Sequence, residues 1–230
     1  MVVVRSGLTL SVGALLFITG CVQSTSVPTP APPPPAAAGG VPGPMGPPPA
    51  MGPAALPQWQ DAPVAFADGK AALSGSNTNI TFVGTKNDGQ HDGGFKTLTG
   101  TADATEDGKG IAKISLEIET DSLWSDNPQL TSHLKNKDFF DVKDHPKATF
   151  VTTEIAAVEG ASHTHNLTGD LTLHGVTKSI TMPATVTSSD AGWVLKSSFK
   201  IERKDFGMEF GLEKVNNEVS ISVAIGVAQK

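Results

Sequence analysis

Strict alternation of apolar and polar residues recurs along the chain after Gln60, and it limits the possible fold more than any other feature. In residues 110–120, GIAKISLEIET, the side chains of Ile114, Leu116 and Ile118 share one face, and polar or charged side chains share the other. A period of two is typical of a β-strand with one buried face. Seven further segments alternate in a similar way: residues 79–86, 93–103, 147–158, 165–173, 179–186, 193–201 and 218–228.

Eight such strands restrict the chain to few architectures. Strands with one apolar and one polar face suit an antiparallel sheet that closes on itself, or two sheets packed as a sandwich. Closure alone removes the unpaired strand edges. The sequence therefore predicts an all-β domain, and from the alternation alone both the barrel and the sandwich remain open.

One short helix is predicted between two strands. Asn127 is a suitable N-cap and Pro128 suits the first helical position, while Lys135 falls near the end of the segment, where a cation is favourable. A helix inserted between barrel strands tends to lie at one end of the barrel. We therefore expect it to cover such an end.

Two adjacent phenylalanines follow this helix, Phe139 and Phe140, and they stand between Asp138 and Asp141. An exposed pair of aromatic rings is unfavourable in water, so both rings should be buried against apolar groups. We expect the pair to turn inward and to close or line one end of the barrel, with the two aspartates in water.

The N-terminus has the features of an export signal. Arg5 precedes an apolar run over residues 8–18 that is too short to span a bilayer. The tetrapeptide Ile-Thr-Gly-Cys that ends at Cys21 resembles the lipobox of bacterial lipoproteins, in which the cysteine is acylated. We therefore predict a lipoprotein signal peptide over residues 1–20 and lipidation of Cys21; an ordinary signal peptide remains the alternative. Val22 follows the cysteine at the position where an aspartate would indicate retention in the inner membrane, so we predict that the lipoprotein lies in the outer membrane.

A proline-rich segment separates the signal from the alternating region. Residues 22–60 carry no charge and contain 13 of the 17 prolines. Such a composition cannot bury enough apolar surface to fold. We predict a disordered tether over residues 21–60 and a folded domain over residues 61–230.

Composition excludes several classes of function. The net charge is −6 and basic residues do not cluster, which argues against nucleic-acid binding. The single cysteine excludes an intramolecular disulfide and a cysteine-based zinc site. Common catalytic and nucleotide-binding motifs are missing from the sequence, so we predict that the protein is not an enzyme.

Four segments in order resemble the YceI-like polyisoprenoid-binding family. They are SNTNITFVGTK with GQHDGGFKTLTGTAD, HLKNKDFFDVKDHPKATF, LTGDLTLHGVTKSITMPATV, and IERKDFGM. The resemblance covers about residues 72–228. It implies an eight-stranded antiparallel, lipocalin-like barrel with an apolar interior that holds a long amphipathic lipid. The chain has no tyrosine, so no ligand contact made by tyrosine in relatives carries over.

Inward-facing side chains of such a barrel either fill it or line a ligand cavity. The alternation provides apolar walls, and the resemblance favours a cavity over a packed core. The predicted ligand-binding residues are Phe82, Ile114, Leu116, Ile118, Phe139, Phe140, Phe150, Leu167, Leu171, Met182, Leu195, Phe199, Lys178 and Arg203.

The two cations in this set depend on local geometry. If His174 and Gly175 form a two-residue hairpin turn, Lys178 faces Leu171 on the inward side, where it would meet an anionic headgroup; a longer loop reverses its face. For Arg203, an ion pair with a neighbouring carboxylate, Asp205 or Glu202, is the alternative to ligand contact.

The spacing of the histidines gives little indication of a metal site. His163 and His165 share one face if their segment is extended, but no third ligand stands at a recognisable spacing. His145 precedes a proline and His174 precedes a glycine, which favours turns. We predict no metal site and no cofactor apart from the bound lipid.

These observations predict an envelope lipoprotein on the periplasmic side, anchored to the membrane through Cys21, whose barrel binds a polyisoprenoid or similar lipid for carriage, storage or stress response. Two alternatives remain: a ligand-free structural or adhesion module, and an uncharacterised hydrolase. The sequence indicates no particular protein partner, and a homodimer is compatible with it.

Overall fold

The computed structural model describes residues 59–229 of the 230-residue chain. The predicted signal peptide, Cys21 and most of the predicted tether lie outside these residues. Trp59 and Gln60, which end the predicted tether, belong to the first strand. The elements are β1 (Trp59–Asp61), β2 (Lys70–Ser74), β3 (Thr78–Lys86), β4 (Gly89–Phe95), β5 (Leu98–Ala104), β6 (Ile111–Glu119), β7 (Leu123–Ser125), α1 (Pro128–Leu134), β8 (Lys147–Ala157), β9 (His165–Leu173), β10 (Val176–Ser189), β11 (Gly192–Glu202), β12 (Val215–Ile225) and β13 (Val227–Gln229), with 3₁₀ turns at Thr120–Ser122 and Arg203–Phe206.

The main sheet contains eleven antiparallel strand segments in the order β2-β5-β6-β8-β9-β10-β11-β12-β3-β4-β7. Short breaks interrupt three long strands, so β2 continues into β3, β4 into β5, and β6 into β7. When these pairs are joined, each of eight long strands has two neighbours, and β12 pairs with β3, the second half of the first long strand. The sheet therefore closes on itself, as the resemblance implied.

The segment count differs from the prediction for a local reason. The register between the first two long strands shifts between Ser74, which faces Thr99, and Ile80, which faces Phe95. Bent strands of this kind allow a closed sheet to turn its corners. β1, β2 and β7 lie outside the predicted segments. β1 forms a separate two-stranded sheet with β13, whose first two residues end the predicted segment 218–228.

The core lies inside the barrel and follows the predicted alternation. Ile114, Leu116 and Ile118 on β6 are all at most 7% exposed, while Lys113 is exposed and Glu117 is half-buried. Burying one face of each strand removes apolar surface from water at roughly 25 cal/mol per Å². The all-β prediction is confirmed.

Helix α1 begins where the sequence predicted. The Asn127 side chain accepts hydrogen bonds from the backbone N–H groups of Gln129 and Leu130, at 2.9 and 3.1 Å. Pro128 occupies the first turn, and Lys135 is the C-cap. Leu134 is the buried residue of the helix, and it fixes α1 against one end of the barrel.

Candidate functional site: an apolar cavity in the barrel

The barrel contains a cavity of about 170 Å³ whose surface carries no polar atom. Thr81 and Arg203 are the residues of its lining that are not apolar, and they contribute carbon atoms to it. The barrel of the described domain is therefore not packed solid. Thirteen of the fourteen predicted ligand-binding residues line this cavity: Phe82, Ile114, Leu116, Ile118, Phe139, Phe140, Phe150, Leu167, Leu171, Met182, Leu195, Phe199 and Arg203.

The size of the cavity limits what it can hold. An engineered cavity of roughly 150 Å³ binds one benzene molecule. A cavity of about 170 Å³ is of the same order. A long lipid chain would therefore need more space than the structure encloses, and side chains of the lining or of the barrel end would have to move.

Phe139 and Phe140 reach the cavity from outside the sheet. Both rings line it, but they contact different neighbours. The Phe140 ring lies 6.2 Å from the ring of Phe82 and 5.7 Å from that of Phe95, measured between centroids. Phe139 is 8% exposed and packs in a small cluster with Leu134. The pair faces inward, as the sequence predicted.

The two flanking aspartates are less exposed than expected. Asp138 and Asp141 are both half-buried rather than fully in water. A carboxylate oxygen of Asp138 lies 3.2 Å from Nε2 of His133 on α1. Asp138 thus joins α1 to the inserted segment, which is residues 135–146 between α1 and β8.

Arg203 is held in a way that the sequence did not indicate. Its side chain is 3% exposed, and it donates hydrogen bonds to the carbonyl oxygens of four residues at 2.7–3.1 Å. These acceptors are Met208, Phe210, Val215 and Asn216. Burial lowers the pKa of the guanidinium group. Arg203 therefore ties the loop over residues 207–214 to the barrel.

The alternative prediction for Arg203, an ion pair with Asp205 or Glu202, was wrong. In the part of the chain that the structure describes, neither Asp205 nor Glu202 pairs with the guanidinium, and Glu202 accepts a hydrogen bond from Asn217 instead. A guanidinium has five N–H donors, which are enough to bond all four carbonyls at once. The predicted partners were the nearest carboxylates in the sequence, whereas the observed acceptors lie 5–13 residues downstream of Arg203.

Lys178 is the predicted ligand-binding residue that does not line the cavity. His174 and Gly175 do form the two-residue turn, and Lys178 does pair with Leu171, so the predicted register is confirmed. The lysine is nevertheless exposed. It lies close to the barrel end, and its inward-facing position does not bring the side chain into the cavity.

The two histidines singled out as a weak metal pattern have separate partners. Nε2 of His163 lies 2.9 Å from the Asn166 side-chain oxygen, and Nδ1 of His165 lies 2.8 Å from the Thr164 hydroxyl. They form no shared site with a third ligand within residues 59–229. A different group of titratable side chains comes together elsewhere at the barrel end.

A second, smaller cavity of about 130 Å³ was not predicted. Phe66 and Trp193 line it, and their rings are stacked with centroids 5.7 Å apart. The indole N–H of Trp193 is buried without a hydrogen-bond partner among the described residues. Phe66 lies before the first predicted strand, where no alternation marks it.

Among the described residues, no helix has the length and apolar character needed to cross a membrane.

Comparison with known proteins places the chain in a family. The YceI-like domain family matches residues 72–227. A UPF0312 protein of Pseudomonas putida (strain W619) is 41% identical over 93 residues, which are 40% of this chain and 47% of that protein. The chain thus spans about half the length of that relative. Protein YceI of Escherichia coli O157:H7 is 32% identical over 145 residues, 60% of this chain and 74% of that protein.

Solved structures share the fold. The crystal structure of BcnA from Burkholderia cenocepacia has a TM-score of 0.58 at 26% identity and covers 66% of this chain and 96% of that one. A polyisoprenoid binding domain from Saccharophagus degradans, implicated in plant cell wall breakdown, has a TM-score of 0.53 at 15% identity, with coverage of 69% and 98%. The likeness to the second structure concerns the fold alone. From the family match over residues 72–227 and the identity to YceI of E. coli, the chain belongs to the YceI-like family.

Proposed function

We propose that the domain binds the apolar chain of a polyisoprenoid or similar amphipathic lipid inside the barrel. The observation that carries this proposal is the cavity of about 170 Å³ with a wholly apolar surface. A cavity lined mainly by Phe, Ile, Leu, Val and Met side chains favours hydrocarbon over water, at roughly 25 cal/mol per Å² of apolar surface buried.

The absence of polar atoms from the cavity surface supports a lipid whose hydrocarbon chain lies inside the barrel and whose headgroup lies outside it. The guanidinium of Arg203 is engaged by backbone carbonyls and adds no polar atom to the cavity surface. A charged or strongly polar headgroup would find no partner there and would lose its hydration. The headgroup would therefore remain at the barrel end, where Lys178 is exposed and available as a counter-charge.

Binding is proposed rather than catalysis. The lining residues provide no nucleophile and no acid–base pair that could act on a substrate inside the cavity. The solved domain from Saccharophagus degradans is described as polyisoprenoid binding, which agrees with this reading of the site.

The proposal includes the location predicted from the N-terminus. We propose that acylated Cys21 anchors the protein on the periplasmic side of the envelope, with the outer membrane favoured, and that the proline-rich segment separates the anchor from the domain. Several acyl chains would hold the protein firmly, since each buried CH₂ contributes about 0.8 kcal/mol. Such an arrangement would keep the cavity within reach of its lipid source.

A substitution at Gly84 tests the lipid proposal by filling the cavity, without removing a core side chain. This glycine on β3 lines the cavity, and a Cβ added there would meet no atom within 4 Å. Gly84→Leu would place a side chain in the empty space. Because glycine inside a strand weakens it, the replacement should leave stability unchanged or raise it. Ser198→Leu is the matched control, since Ser198 is exposed on β11.

Native mass spectrometry after gentle extraction measures the bound lipid in each protein. We expect a co-purifying apolar mass with the parent and with Ser198→Leu, and a loss of at least tenfold with Gly84→Leu. Equal lipid content in Gly84→Leu and in the parent would overturn the proposal. A parent protein without any bound lipid would favour the ligand-free structural module.

A further inference from the structure

Three metal-ligating side chains meet at the barrel end beside the inserted Phe segment. Asp141, His145 and His174 each offer one ligand atom, and these three atoms lie within 4.8 Å of one another. All three residues are half-buried. Asp141 and His145 precede β8, and His174 stands in the turn between β9 and β10. Strand folding thus brings together groups that are about 30 residues apart.

A tight turn connects the first two groups. The backbone N–H of His145 donates to the carbonyl of Asp141 at 2.8 Å, which holds the two residues close together. The sequence predicted a turn at His145 because Pro146 follows it, and it did not indicate the proximity of His145 to Asp141.

His174 has one ring nitrogen free to bind an ion. Its Nδ1 lies 3.0 Å from the carbonyl oxygen of Phe206, and a carbonyl only accepts hydrogen bonds. Nδ1 therefore carries the proton, and Nε2 keeps its lone pair. Metal-binding histidines almost always donate their other N–H to such an acceptor, which fixes the ring and its tautomer.

His145 lies beside this ring, and the backbone makes room for it. The two imidazole centroids are 4.7 Å apart at an interplanar angle of 67°. A Cβ on Gly175 would lie 2.7 Å from Cε1 of His145, so the turn glycine provides the space. No ring nitrogen of His145 has a hydrogen-bond partner in the range of residues that the structure describes.

Two residues of the group have a left-handed backbone. Among the described residues, the non-glycine residues with positive φ are Asp68, Asp141 and His174, and the last two have φ of 43° and 51°. The two-residue hairpin turn accounts for the positive φ of His174, because such turns favour positive φ at both central residues. Asp141 lies outside a hairpin, and its left-handed conformation costs energy unless the surroundings enforce it.

We propose that Asp141, His145 and His174 bind a divalent transition-metal ion of the Zn²⁺ type. Two imidazoles and one carboxylate are a usual ligand set for Zn²⁺, with a fourth position left for water or another ligand. Ca²⁺ and Mg²⁺ prefer oxygen ligands and suit the group less well. Because ligand atoms lie roughly 2.0–2.2 Å from a zinc ion, binding would draw the three side chains closer together.

The bound ion would link three segments at this end of the barrel. Asp141 follows Phe140 directly, His174 continues from the cavity-lining Leu173, and the Phe206 carbonyl belongs to the 3₁₀ turn that begins at Arg203. The ion would therefore fix the inserted segment to the β9–β10 turn. This inference does not depend on what the cavity holds.

The test is a calorimetric titration of the tag-free full chain with Zn²⁺, together with the visible spectrum of the Co²⁺ form. Every sample carries Cys21→Ser, so that no thiol competes for the ion. The single variants are Asp141→Asn, His145→Gln and His174→Asn; asparagine tolerates positive φ and so suits the first and third positions. The control replaces both His163 and His165 by asparagine.

We expect one equivalent of Zn²⁺ in the parent and in the control, and affinity at least tenfold lower in each single variant. The Co²⁺ form should show the intense absorption of a four-coordinate site, which Zn²⁺ abolishes. Zn²⁺ should raise the Tm of the parent and of the control but not of the variants. Circular dichroism establishes that each variant is folded.

Parental affinity in His145→Gln and His174→Asn would overturn the proposal. So would loss of binding in the His163 and His165 control, or a Co²⁺ spectrum equal to that of the hydrated ion. If one variant does not fold, the other two decide the question.

Discussion

Alanine substitutions at Phe139 and Phe140 should separate the roles of two adjacent rings in stability and in ligand binding. Phe139 is 8% exposed and packs with Leu123 and Leu134. Its ring also lies 5.4 Å from the ring of Phe210. Removing a ring that is packed on most sides costs roughly 3–5 kcal/mol in the free energy of unfolding. We expect Phe139→Ala to fall in this range.

Both rings line the cavity, but Phe140 should cost less because its side chain is only half-buried, whereas that of Phe139 is buried. The Phe140 ring lines the cavity and has aromatic neighbours at Phe82 and Phe95. Each aromatic pair contributes about 0.5–1.5 kcal/mol, and the cavity side of the ring has no protein contacts to lose. Phe140→Ala should therefore cost about 1–3 kcal/mol, at least about 1 kcal/mol less than Phe139→Ala. For a domain of this size, 1 kcal/mol corresponds to roughly 2–4 °C in Tm.

The measurements are urea unfolding of the delipidated proteins and lipid content of the untreated proteins by native mass spectrometry. Phe66→Ala is the control: Phe66 is half-buried, stacks on Trp193 and does not line the main cavity. We expect Phe140→Ala to lose lipid and the control to keep it. If Phe140→Ala is as destabilising as Phe139→Ala and its folded molecules keep their lipid, Phe140 is an ordinary core residue and the reasoning is refuted.

Three further predictions follow from single residues. Arg203→Met leaves four carbonyls without their donor and should lower the free energy of unfolding by about 3–5 kcal/mol. The free energy of unfolding of Arg203→Lys should lie between those of the parent and of Arg203→Met. Equal urea midpoints for the parent and Arg203→Met would contradict this role. Asn127→Ala removes the cap of α1 and should cost about 1 kcal/mol in thermal unfolding; no change would mean that packing alone holds the helix. Cys21→Ser should move the protein from the membrane fraction to the soluble fraction, and sedimentation with membranes after a high-salt wash would argue against lipidation at Cys21.

The barrel was predictable because its signals are local. Each of the eight alternating segments coincides with a strand or a bent pair of strands, and the His174–Gly175 turn fixed the pairing of Leu167 with Met182. The helix start was predictable for the same reason, since Asn127 and the proline after it are a complete cap. Alternation also indicated which side chains face inward, and this is why most of the predicted set lines the cavity.

The parts that could not be predicted depend on contacts between distant segments. The acceptors of Arg203 are backbone carbonyls, which every residue carries, so no residue type marks them in the sequence. Asp141 and His174 come together only because β8 and β9 pair. The break after Ser74 also depends on a distant segment, because a Cβ on Gly75 would meet the backbone carbonyl of Lys96.

The inserted segment explains how a charged stretch can supply two rings to one cavity. In a strand, adjacent side chains point to opposite faces, so Phe139 and Phe140 could not both face inward. The backbone N–H groups of Phe139, Phe140 and Asp141 donate to Asn136 and Leu134, which are residues of the same segment. None of these three bonds belongs to the barrel ladder. A ligand that displaces the rings would break their contacts with Phe82, Phe95 and Phe210, but it would leave the hydrogen bonds between the barrel strands intact.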